Sequence, residues 1–238
     1  MSSSPSSSSS TGPVTAQDRT LLITGATGAL GEKTAHTFAA LGHPLVLLDN
    51  DQDKLDELAR DLDLSADRIL ATVVDLRNGD AVRAAAGAVS AKFGAVHGLI
   101  HLVGGWVGGR TLMEASAEDL ESMLGQHVWT TFHLFQSFTP LLVKSRSGRV
   151  IVVSASTVPN PPGKSGVYTA AKAAQENLVL TLAAELKEQE VSANIIQVRA
   201  IDAGNTGRGT TPGEIVAAMQ YLLSEEASKI SGARIPVY

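Results

Sequence analysis

Tyr168 and Lys172 stand four residues apart in the segment Gly166-Val167-Tyr168-Thr169-Ala170-Ala171-Lys172-Ala173-Ala174. On a helix that offset places a phenol and an ammonium on one face, one above the other. A free phenol titrates near ~10, too high for easy proton exchange at neutral pH. A cation within about 4–6 Å favours the phenolate and brings that value down. The pair therefore suits proton transfer to or from a carbonyl or alcohol oxygen. Tyr-x-x-x-Lys also arises in many helices by chance, so its weight depends on what else the chain carries.

The second group lies near the other end, in Leu21-Leu22-Ile23-Thr24-Gly25-Ala26-Thr27-Gly28-Ala29-Leu30-Gly31. An apolar run enters a turn with three glycines, and a helical pattern follows over 31–41. Gly25 permits the tight turn, Gly28 lets a pyrophosphate approach the backbone, and Gly31 lets the helix pack closely on the strand. The start of that helix offers unpaired N–H groups and a positive dipole. A second apolar run, Pro44-Leu45-Val46-Leu47-Leu48-Asp49, ends in an acid 18 residues after Gly31. An acid there accepts from the ribose hydroxyls of an adenosine and repels a 2′-phosphate, so NAD(H) is expected to be preferred, with NADP(H) possible.

The rest of the composition bounds the problem. A chain of 238 residues, 44% hydrophobic, can bury a full core and suits one medium domain. The net charge of −5 and pI near 5.7 disfavour a nucleic-acid partner. The chain has no cysteine, which excludes disulfides, thiolate chemistry and a zinc–sulfur site, and no metal is expected. That absence is compatible with a reducing cytoplasm, and cytoplasmic is the expected location. No apolar run reaches the ~20 residues that span a bilayer. Residues 1–18, rich in Ser, are expected to form a disordered tail, because they carry little to bury. The domain proper is 19–238.

Along that domain, Val/Ile/Leu runs at 20–24, 44–49, 69–74, 98–103, 149–154 and 193–198, with a weaker one near Ile235, alternate with helical stretches. The helical stretches are 31–41, 51–62, 78–93, 117–144, 166–189 and 213–223. Runs that are apolar throughout imply strands buried on both faces. The alternation predicts an α/β fold, a single doubly wound Rossmann-type domain with helices on both faces of a parallel sheet. Ligands bind such sheets at the carboxyl ends of the strands. Thr24–Gly31, Asp49, Asp75, Val103–Gly105, Ser154 and Val198–Asp202 all fall there.

Taken together, the glycine turn, Asp49, Asp75-Leu76 and Tyr168-x-x-x-Lys172 resemble the short-chain dehydrogenase/reductase family, over nearly all of 19–238. The resemblance implies an NAD(P)-dependent oxidoreductase acting on a small carbonyl or alcohol, with Tyr168 as acid/base and Lys172 as its tuner and ribose anchor. It implies further that Gly25, Thr27, Gly28, Leu30, Gly31, Asp49, Asp75, Leu76, Val103, Gly104 and Ile201 line the cofactor site. The helices of 117–144 and 166–189 match those that build homodimers and homotetramers in the family.

The chain also departs from that pattern. The glycines are spaced Gly-x-x-Gly-x-x-Gly, and His101-Leu102-Val103-Gly104 stands for the usual Asn-Asn-Ala-Gly. His127 stands where a helical Asn anchors a proton-relay water; it is either structural or part of a changed relay. The usual catalytic Ser position holds Ala155, between Ser154 and Ser156. Ser156 is favoured over Ser154, which continues the buried strand; absence of a catalytic Ser is the other option. Gly104-Gly105-Trp106-Val107-Gly108-Gly109 is similar to the matching stretch of the quinonoid dihydropteridine reductases, with Trp106 either stacking on a flat ring or packing on the sheet edge. That implies a pterin-like substrate as the alternative to a carbonyl. The short 203–212 segment implies a site without the family's long lid. A domain that senses dinucleotide without turnover is the remaining alternative.

Overall fold

The computed structural model describes residues 19–238; the Ser-rich segment 1–18 lies outside them. The strands are β1 (Leu21–Thr24), β2 (Leu45–Asp49), β3 (Ile69–Val73), β4 (Gly98–His101), β5 (Arg149–Ala155), β6 (Ser192–Val198) and β7 (Arg234–Pro236). The helices are α1 (Ala29–Ala40), α2 (Gln52–Asp61), α3 (Gly79–Phe93), α4 (Ala117–Leu124), α5 (Thr130–Lys144), α6 (Gly166–Glu185) and α7 (Pro212–Leu223). The strands form one parallel sheet in the order β3-β2-β1-β4-β5-β6-β7. The order reverses between β1 and β4, where a crevice must open.

Both sheet faces are covered, as the apolar runs require. Leu22, Val46, Leu99, Val150 and Val152 point into a core shared with α3, α5 and α6. Their neighbours Leu21, Ile23, Leu45, Ile100 and Ile151 point into a second core with α1, α2 and α7. Side chains alternate along a strand, so one apolar run feeds both layers.

Local chemistry sets most helix starts. Asp51 and Asn78 cap α2 and α3 by accepting backbone N–H groups. Reciprocal capping boxes, Ser116 with Asp119 and Thr211 with Glu214, start α4 and α7. α1 differs: Gly28 precedes it and offers no side-chain cap. Its first N–H groups are left for something else.

Two helices depart from the sequence expectation. The 117–144 stretch is not one α-helix, because Gly125–Trp129 forms a π turn between α4 and α5. The 166–189 stretch ends as α-helix at Glu185 and closes in a short 3₁₀ turn. A π turn has the composition of an ordinary helix, and its extra residue per turn leaves no pattern in apolar spacing. Among the described residues, no helix is long and apolar enough to cross a membrane.

Candidate active site

At the reversal point a cleft of about 550 Å³ opens, lined by the glycine turn, the ends of β2 and β3, and the loop after β4. Gly25 has a φ of 70°, and a Cβ there would lie 3.1 Å from the backbone nitrogen of Val103. Gly31 is tighter: a Cβ would sit 2.1 Å from the Gly25 carbonyl oxygen, so α1 packs directly on its own turn. Gly28 has open space instead, its nearest neighbour 3.6 Å from a Cβ. The Asp49 carboxylate sits at the cleft edge, accepting from the backbone N–H groups of Thr27 at 2.9 Å and Asn50 at 2.8 Å.

Several expected residues meet in this cleft: Gly25, Thr27, Gly28, Asp49, Asp75, Leu76, Val103 and Gly104. Leu30 and Gly31 do not line it; Leu30 is buried in the core under α1. Asp75 turns both carboxylate oxygens to Arg77, at 3.0 and 3.1 Å, and these hydrogen bonds hold it below the ordinary carboxylate range. Ile201 is also outside the lining, 44% exposed and bridged to Thr210. Asn50, Lys54, Arg77, Gln126 and Thr130 line the cleft without having been singled out in the sequence. Lys54 was readable in principle, since it lies in the first turn of the helix that follows Asp49.

Tyr168 and Lys172 lie beside the cleft, on α6. The link between them and the cleft is His127, carried inward by the π turn. Its ring stands edge-on to Tyr168, centroids 5.6 Å apart, and fills the space a Gly104 Cβ would need. Its Nε2 lies 3.0 Å from the Gly105 carbonyl. A carbonyl only accepts, so Nε2 carries the proton and the unpaired Nδ1 is left as an acceptor. Burial, with Lys172 nearby, pushes His127 down to about 3, so the ring is neutral. His127 thus joins the glycine loop to Tyr168 as a neutral ring.

Without a ligand, burial rather than Lys172 dominates the phenol of Tyr168. Burial moves the phenol upward from its ordinary value, not downward. Lys172, only 6% exposed, donates to the Val153 carbonyl at 2.9 Å and to Gln175 Oε1 at 2.8 Å. Burial lowers it to about 7, against a smaller opposing pull from Glu176. The ammonium that was to tune the phenol is itself tuned. In this arrangement the phenol keeps its proton at neutral pH, while the lysine titrates there.

Ser154 and Ser156 are separated by position. The Ser154 hydroxyl is buried and has no hydrogen-bond partner among the described residues. Ser156 is half-buried in the turn after β5, its N–H donated to the Val198 carbonyl. Trp106 is 65% exposed, and its ring lies over Gly108, so it does not pack on the sheet edge. Gly109 donates to the Lys164 carbonyl, tying the glycine loop to the loop before α6. The short segment after β6 is held by Asp202, which accepts from Thr206, Gly207 and Arg208.

The cleft suits a dinucleotide. Gly28 leaves the uncapped start of α1 open, and Asp49 retains lone pairs facing the cleft beyond the two it uses. No group of residues that could hold a metal ion occurs among the described residues.

Comparison with known proteins agrees with this arrangement. The chain is 28% identical to meso-2,3-butanediol dehydrogenase of Serratia marcescens, over 92% of this chain and 93% of that one. It is 33% identical to cis-2,3-dihydrobiphenyl-2,3-diol dehydrogenase of Paraburkholderia xenovorans, over 70% of this chain and 60% of that one. The fold matches the crystal structure of sorbitol-6-phosphate 2-dehydrogenase from Erwinia amylovora with a TM-score of 0.85, at 19% identity, covering 91% and 97% of the two chains. The sequence profile described as short chain dehydrogenase matches residues 19–211, and the chain belongs to that family of NAD(P)-dependent oxidoreductases.

Proposed function

We propose that this protein interconverts a small carbonyl and its alcohol using NAD(H) in preference to NADP(H). The observation that carries the reading is the half-buried Tyr168 phenol one helical turn from the buried Lys172 ammonium, beside a cleft with the Asp49 carboxylate at its edge. Gly25, Thr27, Gly28, Asp49, Val103 and Gly104 would hold the dinucleotide, with Asp75 and Leu76 near its adenine. When bound, the nicotinamide supplies or accepts the hydride.

The residues of the chain handle the proton. In the reducing direction Tyr168 delivers its proton to the substrate oxygen, a role suited to a phenol that burial keeps neutral. Lys172, partly protonated near neutrality, replaces that proton. Ser156, the more exposed of the two, steadies the substrate oxygen, since Ser154 is buried. Positioning by such an acid is typically worth about 10²–10⁴-fold in rate. Ile201 reaches the site only through its backbone, if the 199–211 segment shifts on binding. Trp129, at the end of the π turn, and Phe132 on α5 stand exposed and would be covered in a homodimer or homotetramer.

The test is NADH oxidation with a panel of ketones, aldehydes and a quinonoid dihydropterin, and NAD reduction with vicinal diols, the substrate type in the names of both relatives above. Turnover of a ketone or diol but not the pterin is expected. Trp106 favours the pterin as a second reading, because its exposed ring flanks the site; pterin turnover alone would make that the function. Dinucleotide binding with no turnover on any substrate would overturn both in favour of a sensor.

A further inference from the structure

Gln175 lies one helical turn past Lys172, facing inward, and is fully buried on α6. A fully buried amide must have its groups paired, or it costs about 1–3 kcal/mol. Here they are. Its Nε2 donates to the His127 carbonyl at 3.2 Å and to Thr131 Oγ1 at 2.8 Å, and its Oε1 accepts from Lys172 Nζ.

The orientation of the amide follows from chemistry rather than choice. The His127 carbonyl can only accept. The Thr131 hydroxyl spends its own hydrogen on that same carbonyl, so toward Gln175 it too can only accept. Both N–H groups must therefore face the π turn, and the oxygen must face the ammonium. A flipped amide would set oxygen against two acceptors and NH₂ against a cation.

We propose that Gln175 is a positioning residue for Lys172, fixing the ammonium between the end of β5 and the π turn and favouring its charged form. It stands between Lys172 and the His127 carbonyl, where the family resemblance places a relay water beside a helical Asn. An amide holds position and carries no proton onward. Lys172 must therefore recharge from the side of Tyr168 and the cleft rather than through the turn. The other titratable groups that act on the ammonium are His101 on β4 and His127, both neutral, and Glu176 on α6, while Tyr168 lies one helical turn before it. Glu176 is occupied by Arg234 from β7 and Gln197 from β6. That leaves the Gln175 oxygen as the side-chain acceptor bonded to Lys172.

The inference rests on the proposed proton path, but its test does not need a substrate. The Lys172 titration can be followed by NMR of the ¹⁵N-labelled side chain in the full chain without dinucleotide. Gln175→Met keeps the bulk and removes the acceptor, so Lys172 should titrate about one pH unit or more lower; Gln175→Glu adds a charge and should move it up by about as much. A Met variant with an unchanged Lys172 titration overturns the proposal, and if that variant does not fold, an unchanged titration in the Glu variant does so. If the titration moves but no substrate turns over, the proposed carbonyl–alcohol reading fails and the role of Gln175 stands; turnover with an unmoved lysine gives the reverse.

Discussion

Tyr168 is a phenol that burial keeps protonated, and its neighbour Lys172 is an ammonium that burial brings to about 7. Removing the phenol oxygen alone leaves the ring against His127 and the Met123–Val167–Ala171 cluster, so Tyr168→Phe should fold normally. Its turnover should drop by about 10²-fold or more while NADH affinity changes little, measured by steady-state kinetics and calorimetry. A Phe variant as fast as wild type would remove Tyr168 from the mechanism. Asp49 sets the second expectation. Its carboxylate faces the cleft with Lys54 among the nearby lining residues. Wild type should bind NADH more tightly than NADPH, and Asp49→Ala should narrow that ratio by ~10-fold, since it removes the repulsion of a 2′-phosphate and leaves the cation. Tighter NADPH binding by wild type would refute the assignment of Asp49 to the ribose.

At the scale of elements, the glycine turn separates two requirements that sequence spacing alone blends. Gly31 is demanded by the fold, because a methyl there would meet the Gly25 and Ala26 carbonyls at 2.1 and 2.6 Å. Gly28 is not demanded by the fold, because a methyl there meets nothing closer than 3.6 Å and its backbone has an ordinary φ of −77°, and the proposed dinucleotide site supplies the other reason for it. Gly31→Ala should therefore lose about 3 kcal/mol or more of stability by urea unfolding, together with dinucleotide binding. Gly28→Ala should lose ~10-fold or more in affinity with a stability change of about 1 kcal/mol at most. Equal stability losses in the two would mean that Gly28 serves the turn and not the ligand. The turn was legible in the sequence because strand, glycines, helix and acid are neighbours along the chain. The π turn was not. It redirects His127 without altering the apolar periodicity, and the network it supports joins Gln175 to residues 44 and 48 positions away.

For the whole molecule, the doubly wound sheet was legible because the central strands are apolar on both faces and every crossover is a helix. What could not be read was how deeply the sheet edge buries its titratable groups, which depends on packing across elements. That burial has a consequence for stability. His101, fully buried between Thr24 and Thr130, and His127 are both pushed from 6.5 down to about 3. Lys172 is pushed from 10.5 down to about 7. In each case the folded pKa lies below the unfolded one, so between the two values the unfolded chain binds more protons and stability rises with pH. The lysine acts from pH 10.5 to 7 and the two histidines from 6.5 to 3, so acidification weakens the fold across both windows. Asp75 and Asp202, held low by hydrogen bonds, add to the loss on the acid side. Tyr168 acts the other way, its raised pKa costing stability only above about 10. The protein should therefore be most stable on the alkaline side of neutrality, and its Tm should be ~10 °C or more lower at pH 4.5 than at pH 8.5, followed by circular dichroism. His127→Asn, which keeps a polar side chain and removes one titrating ring, should flatten the part of that slope below pH 6.5 and leave the part above 7 unchanged. A Tm that is level from pH 4.5 to 8.5 would show that these side chains reach water in the folded protein.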